Sequence, residues 1–451
     1  MKLNTVIVAL FLFFCSGCRT AEDREVRPNY PDGSVEAVNR WVKEQMDKYY
    51  YWNTRLPKNP DYSLSTPEFM KSLLVPEDRF SVIVNPQDPA TYPRSVRGLY
   101  GFDYAVLKID NKMVTTIKVV LDNSPASNVG LKRGMIITKI NGTALNASNT
   151  ESIMSSLSAQ NSFALTVGEW QNGTVANEKD ISIYYGFTFG QPLQSGIIER
   201  GGKKAAYLYI PHFREGTTNL YSQKFSEFKA AGVQDLVLDL RYNYGGSVAA
   251  AAALCAMIPS GITANTPFIK YVGNKNGGTV LKTFSEQIAY DPSAAPFSTF
   301  QSNTLNLKKV YVLTSNNTTS ASEIVINNLR PYMEVVQIGT KTSGKDMAGF
   351  PIVDENNPKK ISWELHPLIY KVYNAKDQGD YAKGLVPQIE VSEYGTLPLL
   401  PLGHPQETLL SVALDKIFSQ TGRMLSFDSS NIRVITENHH LPGIDIYRKK
   451  F

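Results

Sequence analysis

A regular alternation of apolar strands and helices over residues 190–422 constrains the fold more than any other feature of this 451-residue chain. Six short segments carry the pattern, with strands at 205–210, 236–240, 309–313 and 335–339 and helices at 218–230 and 248–257. Strands that alternate with helices are typical of an α/β fold with a largely parallel inner sheet. The chain also exceeds the length of one ordinary core, so two or three domains are expected.

The composition indicates a soluble globular protein. Charged residues make up 19% of the chain, hydrophobic residues make up 42%, and the formal net charge of +5 is small for this length. No dense basic block with interleaved aromatic residues occurs, which argues against nucleic acid as a partner.

The N-terminus has the pattern of a targeting segment. The apolar run at 6–14 is too short to span a bilayer and is typical of a signal peptide. The tetrapeptide that follows it, Cys-Ser-Gly-Cys at 15–18, resembles the lipobox of bacterial lipoproteins, although that pattern prefers leucine where Cys15 stands. The resemblance implies that Cys18 is lipidated and anchors the protein to a membrane. Ordinary secretory cleavage nearby is the alternative.

The remaining patterns divide the chain into segments. Ser34 is typical of a helix N-cap, and Ser65-Thr66-Pro67 of the start of a second helix that is followed by a turn at 76–80. Strands and turns over 97–185 predict a β-rich domain, and the polar C-terminal tail is expected to be a solvated end. The predicted segments are a signal peptide at 1–18, a flexible tether at 19–33, a helical cap at 34–90, a β-rich domain at 91–187, an α/β core at 188–424 and a tail at 425–451.

The β-rich segment contains a short helix, a glycine turn, an apolar strand and an Asn141-Gly142 hairpin signal. This succession resembles a PDZ domain, although Met135 stands where that family has aspartate. An upstream segment resembles the loop of PDZ domains whose amides hold a peptide's C-terminal carboxylate. It consists of Gly98, Leu99, Tyr100, Gly101 and Phe102. The resemblance implies that free protein C-termini bind there and add a strand to the sheet edge.

Two segments of the α/β region carry candidate chemistry. The strand at 236–240 leads into Gly245-Gly246, a pair able to present bare backbone amides. Ser320 precedes an apolar, helix-like run, where helix N-terminal N–H groups stabilise negative charge, and Lys345 follows 25 residues later in a glycine-containing loop. A nucleophile, a base and oxyanion donors are the parts that acyl transfer needs.

Other hydrolytic arrangements find little support in the sequence. A serine hydroxyl is inert at neutral pH without a base, and the usual base is histidine. The chain has five histidines but no G-x-S-x-G elbow, no H-E-x-x-H and no zinc-ligand spacing. Ser322 is the rival to Ser320 as nucleophile.

The segments 239–246, 318–323 and 342–345 together resemble the carboxyl-terminal-processing proteases, S41-type serine peptidases that use a Ser–Lys dyad. The resemblance implies a multidomain α/β fold, in which an N-terminal helical cap and a PDZ-like β-rich domain accompany a crotonase-like α/β protease core.

The same resemblance assigns roles to individual residues. These are Ser320 as nucleophile, Lys345 as base, and the Ala321 amide with an amide of Gly245 or Gly246 as the oxyanion hole. Glu323 either orients the dyad or complements the helix dipole as a first-turn acid. Some family members have a glutamine four residues after the lysine. This chain has Gly349 there, so a simple dyad is predicted.

Lysine acts as a base only when it is neutral, and burial lowers its pKa because it disfavours the charged form. An apolar rim that includes Met347 and Phe350 is expected to supply that burial.

The predicted function is a cofactor-independent serine endopeptidase of the cell envelope, which cleaves proteins selected by their free C-terminal tails. The alternatives are a peptide-binding lipoprotein that kept the fold without the activity and, with less support, a binder of small hydrophobic ligands. Retention of both Ser320 and Lys345 favours the enzyme, because a binding protein has no need for the base.

Overall fold

The computed structural model describes residues 30–186, 190–418 and 431–438. The predicted signal peptide and the predicted lipidation site Cys18 lie outside the described residues. Within those three ranges, no helix combines the length and the apolar character needed to cross a membrane.

The N-terminal cap consists of α1 (Val35–Tyr49), α2 (Thr66–Leu73) and β1 (Val82–Val84). α1 begins where the sequence predicts, because Ser34 Oγ accepts a hydrogen bond from the Ala37 amide (3.3 Å) and so caps the helix. The apolar stripe of α1, in which Val42 and Met46 are fully buried, packs with Phe69 of α2 in one hydrophobic cluster.

The second domain is an antiparallel sheet with three short helices. Its elements are α3 (Val96–Tyr100), β2 (Phe102–Ile109), β3 (Lys112–Val120), α4 (Pro125–Asn128), β4 (Ile136–Ile140), β5 (Thr143–Ala144), α5 (Thr150–Ser156), β6 (Ser162–Gln171) and β7 (Thr174–Tyr184). The strand order is β2-β3-β4-β6-β7, and β5 pairs with β4. Asn141 and Gly142 join β4 to β5 with φ values of 49° and 77°, which confirms the predicted hairpin turn.

The third and largest part alternates strands and helices. Its elements are β8 (Gln194–Arg200), β9 (Lys203–Tyr209), α6 (Thr218–Ala230), β10 (Asp235–Asp239), α7 (Val248–Ala256), β11 (Pro267–Val272), β12 (Thr279–Thr283), α8 (Phe284–Ile288), α9 (Phe297–Ser302), β13 (Lys309–Thr314), α10 (Ala321–Leu329), β14 (Glu334–Gly339), β15 (Met347–Ala348), β16 (Glu364–His366), β17 (Tyr370–Tyr373), β18 (Ile389–Glu390) and α11 (Thr408–Phe418). All six elements predicted from the sequence are present, with ends shifted by no more than two residues.

A six-stranded sheet in the order β18-β14-β13-β10-β9-β8 forms the centre of this core. All its strands run parallel except β8, which confirms the predicted α/β core. Alternate side chains of β10 face opposite layers. Leu238 packs in the cluster that includes α6, α7 and α10, and Val237 packs in the cluster that includes α11.

Two smaller sheets complete the core. One has the order β12-β11-β17-β15, and the other pairs β1 of the cap with β16. The antiparallel pairing of β1 with β16, in which Val82 lies opposite His366, therefore fixes the cap to the core.

The C-terminal tail differs from the prediction. Residues 431–438 do not form a solvated end, because β19 (Ile432–Glu437) pairs antiparallel with β2 and becomes the edge strand of the second sheet. The physical reason is that β2 would otherwise present unpaired backbone groups along its outer edge. Polar composition at the tail did not reveal this pairing.

Candidate active site

Ser320 lies in the turn between β13 and α10, directly before the first helical residue. Its φ is 59° and its ψ is −117°, a conformation that non-glycine residues rarely adopt. Such strain persists only where the surroundings enforce it, and it clusters at active sites. The residue is half-buried, so the hydroxyl sits at a helix N-terminus without being sealed inside the core.

The loop that carries Ser320 is held against the end of β10. Thr318 Oγ1 donates to the Leu240 carbonyl (2.8 Å), and the Thr319 amide donates to the Asn243 carbonyl (3.0 Å). Because β10 and β13 are parallel neighbours, their carboxyl ends meet at one edge of the sheet. Sheet topology therefore brings the glycine pair and the serine together across almost 75 residues of sequence.

The glycine pair lies directly beside the serine. Gly245 and Gly246 have φ values of 103° and 116°. A Cβ at Gly245 would lie 2.8 Å from Ser320 Cβ, and one at Gly246 would lie 2.2 Å from the Phe213 carbonyl oxygen. Both positions therefore require glycine, for the backbone conformation and for the close approach.

The two glycine amides are not equivalent. The Gly245 amide donates to Asn243 Oδ1 (2.8 Å). In the described part of the chain, the Gly246 and Ala321 amides have no such acceptor, so these two are the donors left for an oxyanion. Sequence reasoning missed Asn243, whose side chain decides which amide of the pair is free.

Glu323 joins the serine turn to the lysine loop. Its carboxylate is fully buried and accepts four hydrogen bonds, which come from Ser320 N (2.9 Å), Lys345 N (2.8 Å), Gly344 N (2.7 Å) and Thr342 Oγ1 (2.6 Å). Burial raises the pKa of Glu323, and the hydrogen bonds from Thr342 and the three amides oppose that rise. The contacts are those of a residue that orients both loops, and they go beyond complementing the dipole of α10.

Lys345 sits in an environment that shifts the protonation equilibrium of its amine toward the neutral form. Burial lowers the pKa of Lys345 to about 8, while the nearby carboxylates of Asp78 and Glu323 act to raise it. The structure has no direct hydrogen bond between Ser320 Oγ and Lys345 Nζ, although both residues are described. Contacts of this kind often become short only when substrate is bound.

The group that covers Lys345 comes from the cap. Lys345 Nζ lies 5.3 Å from the centroid of the Phe80 ring. The expected rim is only partly involved, because Phe350 is 43% exposed and packs against Tyr49 (5.7 Å between centroids). Met347 is buried. The cap, and not the loop after the lysine, supplies the aromatic cover.

The same cap segment also binds the lysine loop. Arg79 donates to the carbonyls of Ser343 (3.3 Å) and Gly344 (3.2 Å), and Asp78 Oδ1 accepts hydrogen bonds from the Phe80 and Ser81 amides (3.0 and 2.9 Å). The sequence showed this segment only as a turn. No local signal linked it to a loop more than 260 residues away.

Two alternatives from the sequence can be compared with the geometry. Ser322 is fully buried and its hydroxyl donates to the Asn243 carbonyl (3.1 Å), so it has no access to a substrate. A Cβ at Gly349 would lie 2.1 Å from the Pro367 carbonyl oxygen, which leaves no space for a glutamine side chain.

The segment predicted to hold a carboxylate forms the short helix α3 and its end. The amides of Gly98, Leu99 and Gly101 donate to Ser95 Oγ (3.0 Å), the Ser95 carbonyl (3.0 Å) and the Arg97 carbonyl (2.9 Å). Tyr100 is fully buried within the domain, and Phe102 begins β2 in register with Val120. Three of the predicted nest amides are therefore already engaged within the chain.

Buried charges connect the second domain to the glycine loop. Arg97 Nη1 donates to the Tyr242 carbonyl (2.9 Å), and its Nε donates to Asp103 (2.6 Å). Arg133 Nη1 donates to the Tyr242 hydroxyl (2.5 Å), while Arg241 is paired with Glu407 (2.8 Å). These largely buried contacts fix the position of the residues just before Gly245.

Comparison with known proteins places the chain in a family. The family model described as Peptidase family S41 matches residues 204–391, and that described as Peptidase S41 N-terminal domain matches residues 37–82. The chain is similar to the solved structure of an S41 protease from Bacteroides fragilis NCTC 9343. The two share 30% sequence identity, a TM-score of 0.68, and coverage of 87% of this chain and 99% of that one.

Two curated relatives carry names that describe an activity. The carboxy-terminal processing protease CtpA of Bacillus subtilis (strain 168) is 22% identical over 373 residues, which is 82% of this chain and 72% of that one. The chloroplastic C-terminal processing peptidase of Tetradesmus obliquus is 24% identical over 308 residues, which is 65% of this chain and 62% of that one.

The 30%-identical structure is matched over nearly its whole length, and the two family models match residues 37–82 in the cap and residues 204–391 in the core. The chain belongs to peptidase family S41 and is a serine-type peptidase.

Proposed function

We propose that this peptidase cleaves proteins through a Ser320–Lys345 dyad and an acyl-enzyme intermediate. The observation that carries the proposal is the single buried carboxylate of Glu323, which accepts hydrogen bonds from the backbone of both residues. One rigid group thus holds nucleophile and base in a fixed relation, as efficient nucleophilic catalysis requires.

The reaction follows from the donors and acceptors at the site. Neutral Lys345 Nζ takes the proton from Ser320 Oγ as the oxygen forms a bond to the scissile carbonyl carbon. The oxyanion then accepts hydrogen bonds from the Ala321 and Gly246 amides. Lys345 gives the proton to the leaving amine when the C–N bond breaks. It then accepts a proton from the water that attacks the ester and returns it to Ser320 Oγ when the ester C–O bond breaks.

The experiment compares alanine substitutions at two serines that lie two residues apart in the sequence, Ser320 and Ser322. Ser320→Ala should abolish hydrolysis of a casein-type protein substrate and covalent labelling by a serine-directed phosphonate. Ser322→Ala is the matched control and should remain labelled, because its hydroxyl is turned away toward Asn243. A Ser320→Ala protein that folds and cleaves normally would exclude the dyad, and an unreactive wild-type chain would favour the peptide-binding alternative.

For the architecture, we propose that the core is crotonase-like and that the antiparallel domain is a PDZ-like module that selects substrates by free C-terminal tails. The support is the strand–turn–strand pattern at Asn141-Gly142 and the position of the Gly98–Phe102 segment at the start of β2. The two curated relatives are named for C-terminal processing. Faster cleavage of an acid-ended protein than of the same protein with a C-terminal amide would support tail selection, and equal rates would exclude it.

For localisation, we propose a lipid anchor at Cys18 in the cell envelope. The support is the apolar run at 6–14 followed by the Cys-Ser-Gly-Cys tetrapeptide. Metabolic labelling with palmitate should mark the wild-type chain and not Cys18→Ser. Equal labelling of both would exclude this anchor.

A further inference from the structure

The edge of β2 is the place where a peptide would add a strand to the second domain, and the chain's own segment 431–438 lies on it. We propose that this segment, here called the tail strand, is a built-in occupant of the peptide groove, and that a substrate tail binds by displacing it. The inference deepens the proposed tail selection and rests on it.

The register gives the first argument. The tail strand runs antiparallel to β2, from Ile432 opposite Ile109 to Glu437 opposite Ala105. It therefore advances toward the Gly98–Phe102 segment at the start of β2. This is the direction in which a peptide must run for its C-terminus to approach that segment, so the tail strand has the orientation of a ligand.

The second argument is the presence of a helix on the side of the groove opposite β2. A groove that accepts a strand needs a second surface beside the sheet edge, and here that surface is α5. A cleft of about 410 Å³ separates α5 from the tail strand and is lined by Tyr104, Ser148, Glu151, Ser152, Ser155 and Thr436. The tail strand thus lies between a sheet edge and a helix, and space remains beside it.

The third argument is the quality of the packing. None of the eight described residues of the tail strand is fully buried. Val434 and Ile435 are 38% and 36% exposed, and the pairing with β2 is irregular between Val434 and Thr436. Little apolar surface is lost on release, so the segment is suited to exchange with another strand.

Polar contacts at the end of the tail strand determine which partner fits. Asn438 Oδ1 accepts from the Tyr104 amide (2.6 Å), and its Nδ2 donates to Asp103 (2.6 Å). Glu437 accepts from Lys118 Nζ (2.7 Å) and from the Tyr394 hydroxyl (2.9 Å). Lys118 is fully buried, so removing Glu437 alone would leave a buried ammonium without its counter-charge.

A displacing peptide must therefore bring a carboxylate to the position of Glu437, as an acidic side chain or as its own C-terminus. The position also connects to catalysis, since Glu437 Oε2 accepts a hydrogen bond from Asn317 Nδ2 (3.4 Å), three residues before Ser320. The partner class is thus an extended peptide that carries a carboxylate.

A reversible cross-link tests the displacement. Lys108 and Arg433 are paired in register and both are exposed, so Lys108→Cys/Arg433→Cys in a full-length Ser320→Ala chain should lock the tail strand when oxidised. The matched control is Lys108→Cys/Met113→Cys, which links β2 to β3 and leaves the tail strand free. The probe is a fluorescein-labelled peptide with the sequence of residues 431–438 and an amidated C-terminus, so that Glu437 is its only acidic side chain.

Measured by fluorescence anisotropy, the locked chain should bind the probe at least tenfold more weakly than the reduced chain, and the control pair should show no such change. A probe with glutamine in place of Glu437 should bind several-fold more weakly to the reduced chain. Equal binding by locked and reduced chains, or no binding in either state, would overturn the proposal. Equal binding of the two probes would overturn the carboxylate requirement.

Hydrogen exchange on the wild-type chain gives a second measurement that needs no variant. Added probe should speed exchange of the amides in Ile432–Glu437, and unchanged exchange at saturating probe would contradict displacement. A separate measurement tests the peptidase site. It uses the Lys108→Cys/Arg433→Cys chain with its native Ser320 and measures phosphonate labelling of that serine. Loss of labelling in both redox states would count against the dyad and leave the peptide measurement to decide the tail strand.

Discussion

The Ser320–Lys345 centre and the Gly98–Phe102 segment were both predicted from short motifs. In the structure, they differ in the availability of their backbone amides. At the centre, the Gly246 and Ala321 amides have no acceptor among the described residues, and they lie beside a half-buried serine. In the Gly98–Phe102 segment, three amides already donate within the chain. A motif therefore supplies residues, whereas the surrounding fold determines whether their hydrogen-bonding groups are available to a ligand.

The two regions also differ in what holds them. The loops of Ser320 and Lys345 follow the adjacent parallel strands β13 and β14 and share the buried carboxylate of Glu323. The Gly98–Phe102 segment belongs to a single short helix at the edge of another sheet, next to the tail strand. We therefore expect large effects of substitution at the centre and small ones at the segment.

The largest effect should come from Lys345. Lys345→Ala should lower kcat/KM by about 10³-fold or more, as loss of a catalytic base does elsewhere. Lys345→Arg should not restore it, because guanidinium stays protonated. With a pKa of about 8, the neutral fraction and the wild-type rate should rise about tenfold per pH unit below that value and level off above it. A rate profile between pH 6 and 10 measures this, and a flat profile would contradict a lysine base.

Glu323→Gln should have the next largest effect. The amide side chain cannot accept all four hydrogen bonds, so the serine turn and the lysine loop should lose their fixed relation, and kcat should fall by about 10²-fold with KM little changed. The matched control is Glu286→Gln, an exposed capping-box glutamate at the same position of α8. Steady-state kinetics on a short peptide measure both variants. An equal, small loss of kcat in both variants would show that Glu323 acts only as a capping residue of α10.

Two substitutions in the cap should shift the pKa of Lys345 in opposite directions. Phe80→Ala would expose Lys345 to water and raise its pKa, so the rising limb of the rate profile should move to higher pH, with a loss of about tenfold at pH 7. Asp78→Asn would remove a carboxylate that raises the pKa of Lys345, and should move the limb to lower pH. Shifts of the same sign in the two variants would show that the cap acts through structure alone.

The smallest effect should come from Gly98→Ala. Gly98 is exposed and lacks a positive φ, so alanine should stabilise α3 by about 0.5–1 kcal/mol and hold its amides in the helix. Cleavage of a short peptide should stay within about twofold of wild type. Any preference for an acid-ended over an amide-ended protein should fall by about two- to fivefold. An unchanged preference would mean that the α3 amides do not contact the carboxylate.

The sequence alone determined the alternation of strands and helices, the cap of α1 at Ser34 and the hairpin turn at Asn141-Gly142, because each depends on residues within one turn or one strand. The resemblance carried by short motifs selected Ser320 over Ser322, and the burial of the Ser322 hydroxyl agrees with that choice. These features need only local propensity and local sterics.

The groups that complete the site are brought there by tertiary packing. Phe80 covers Lys345 from the cap, Asn243 engages one of the two glycine amides, and the tail strand occupies β2 from the other end of the chain. Each contact joins side chains or strands whose partners the local sequence does not specify. Periodicity and turn signals report how a segment folds, but which distant segment packs on it is set by the burial of surface across the whole chain.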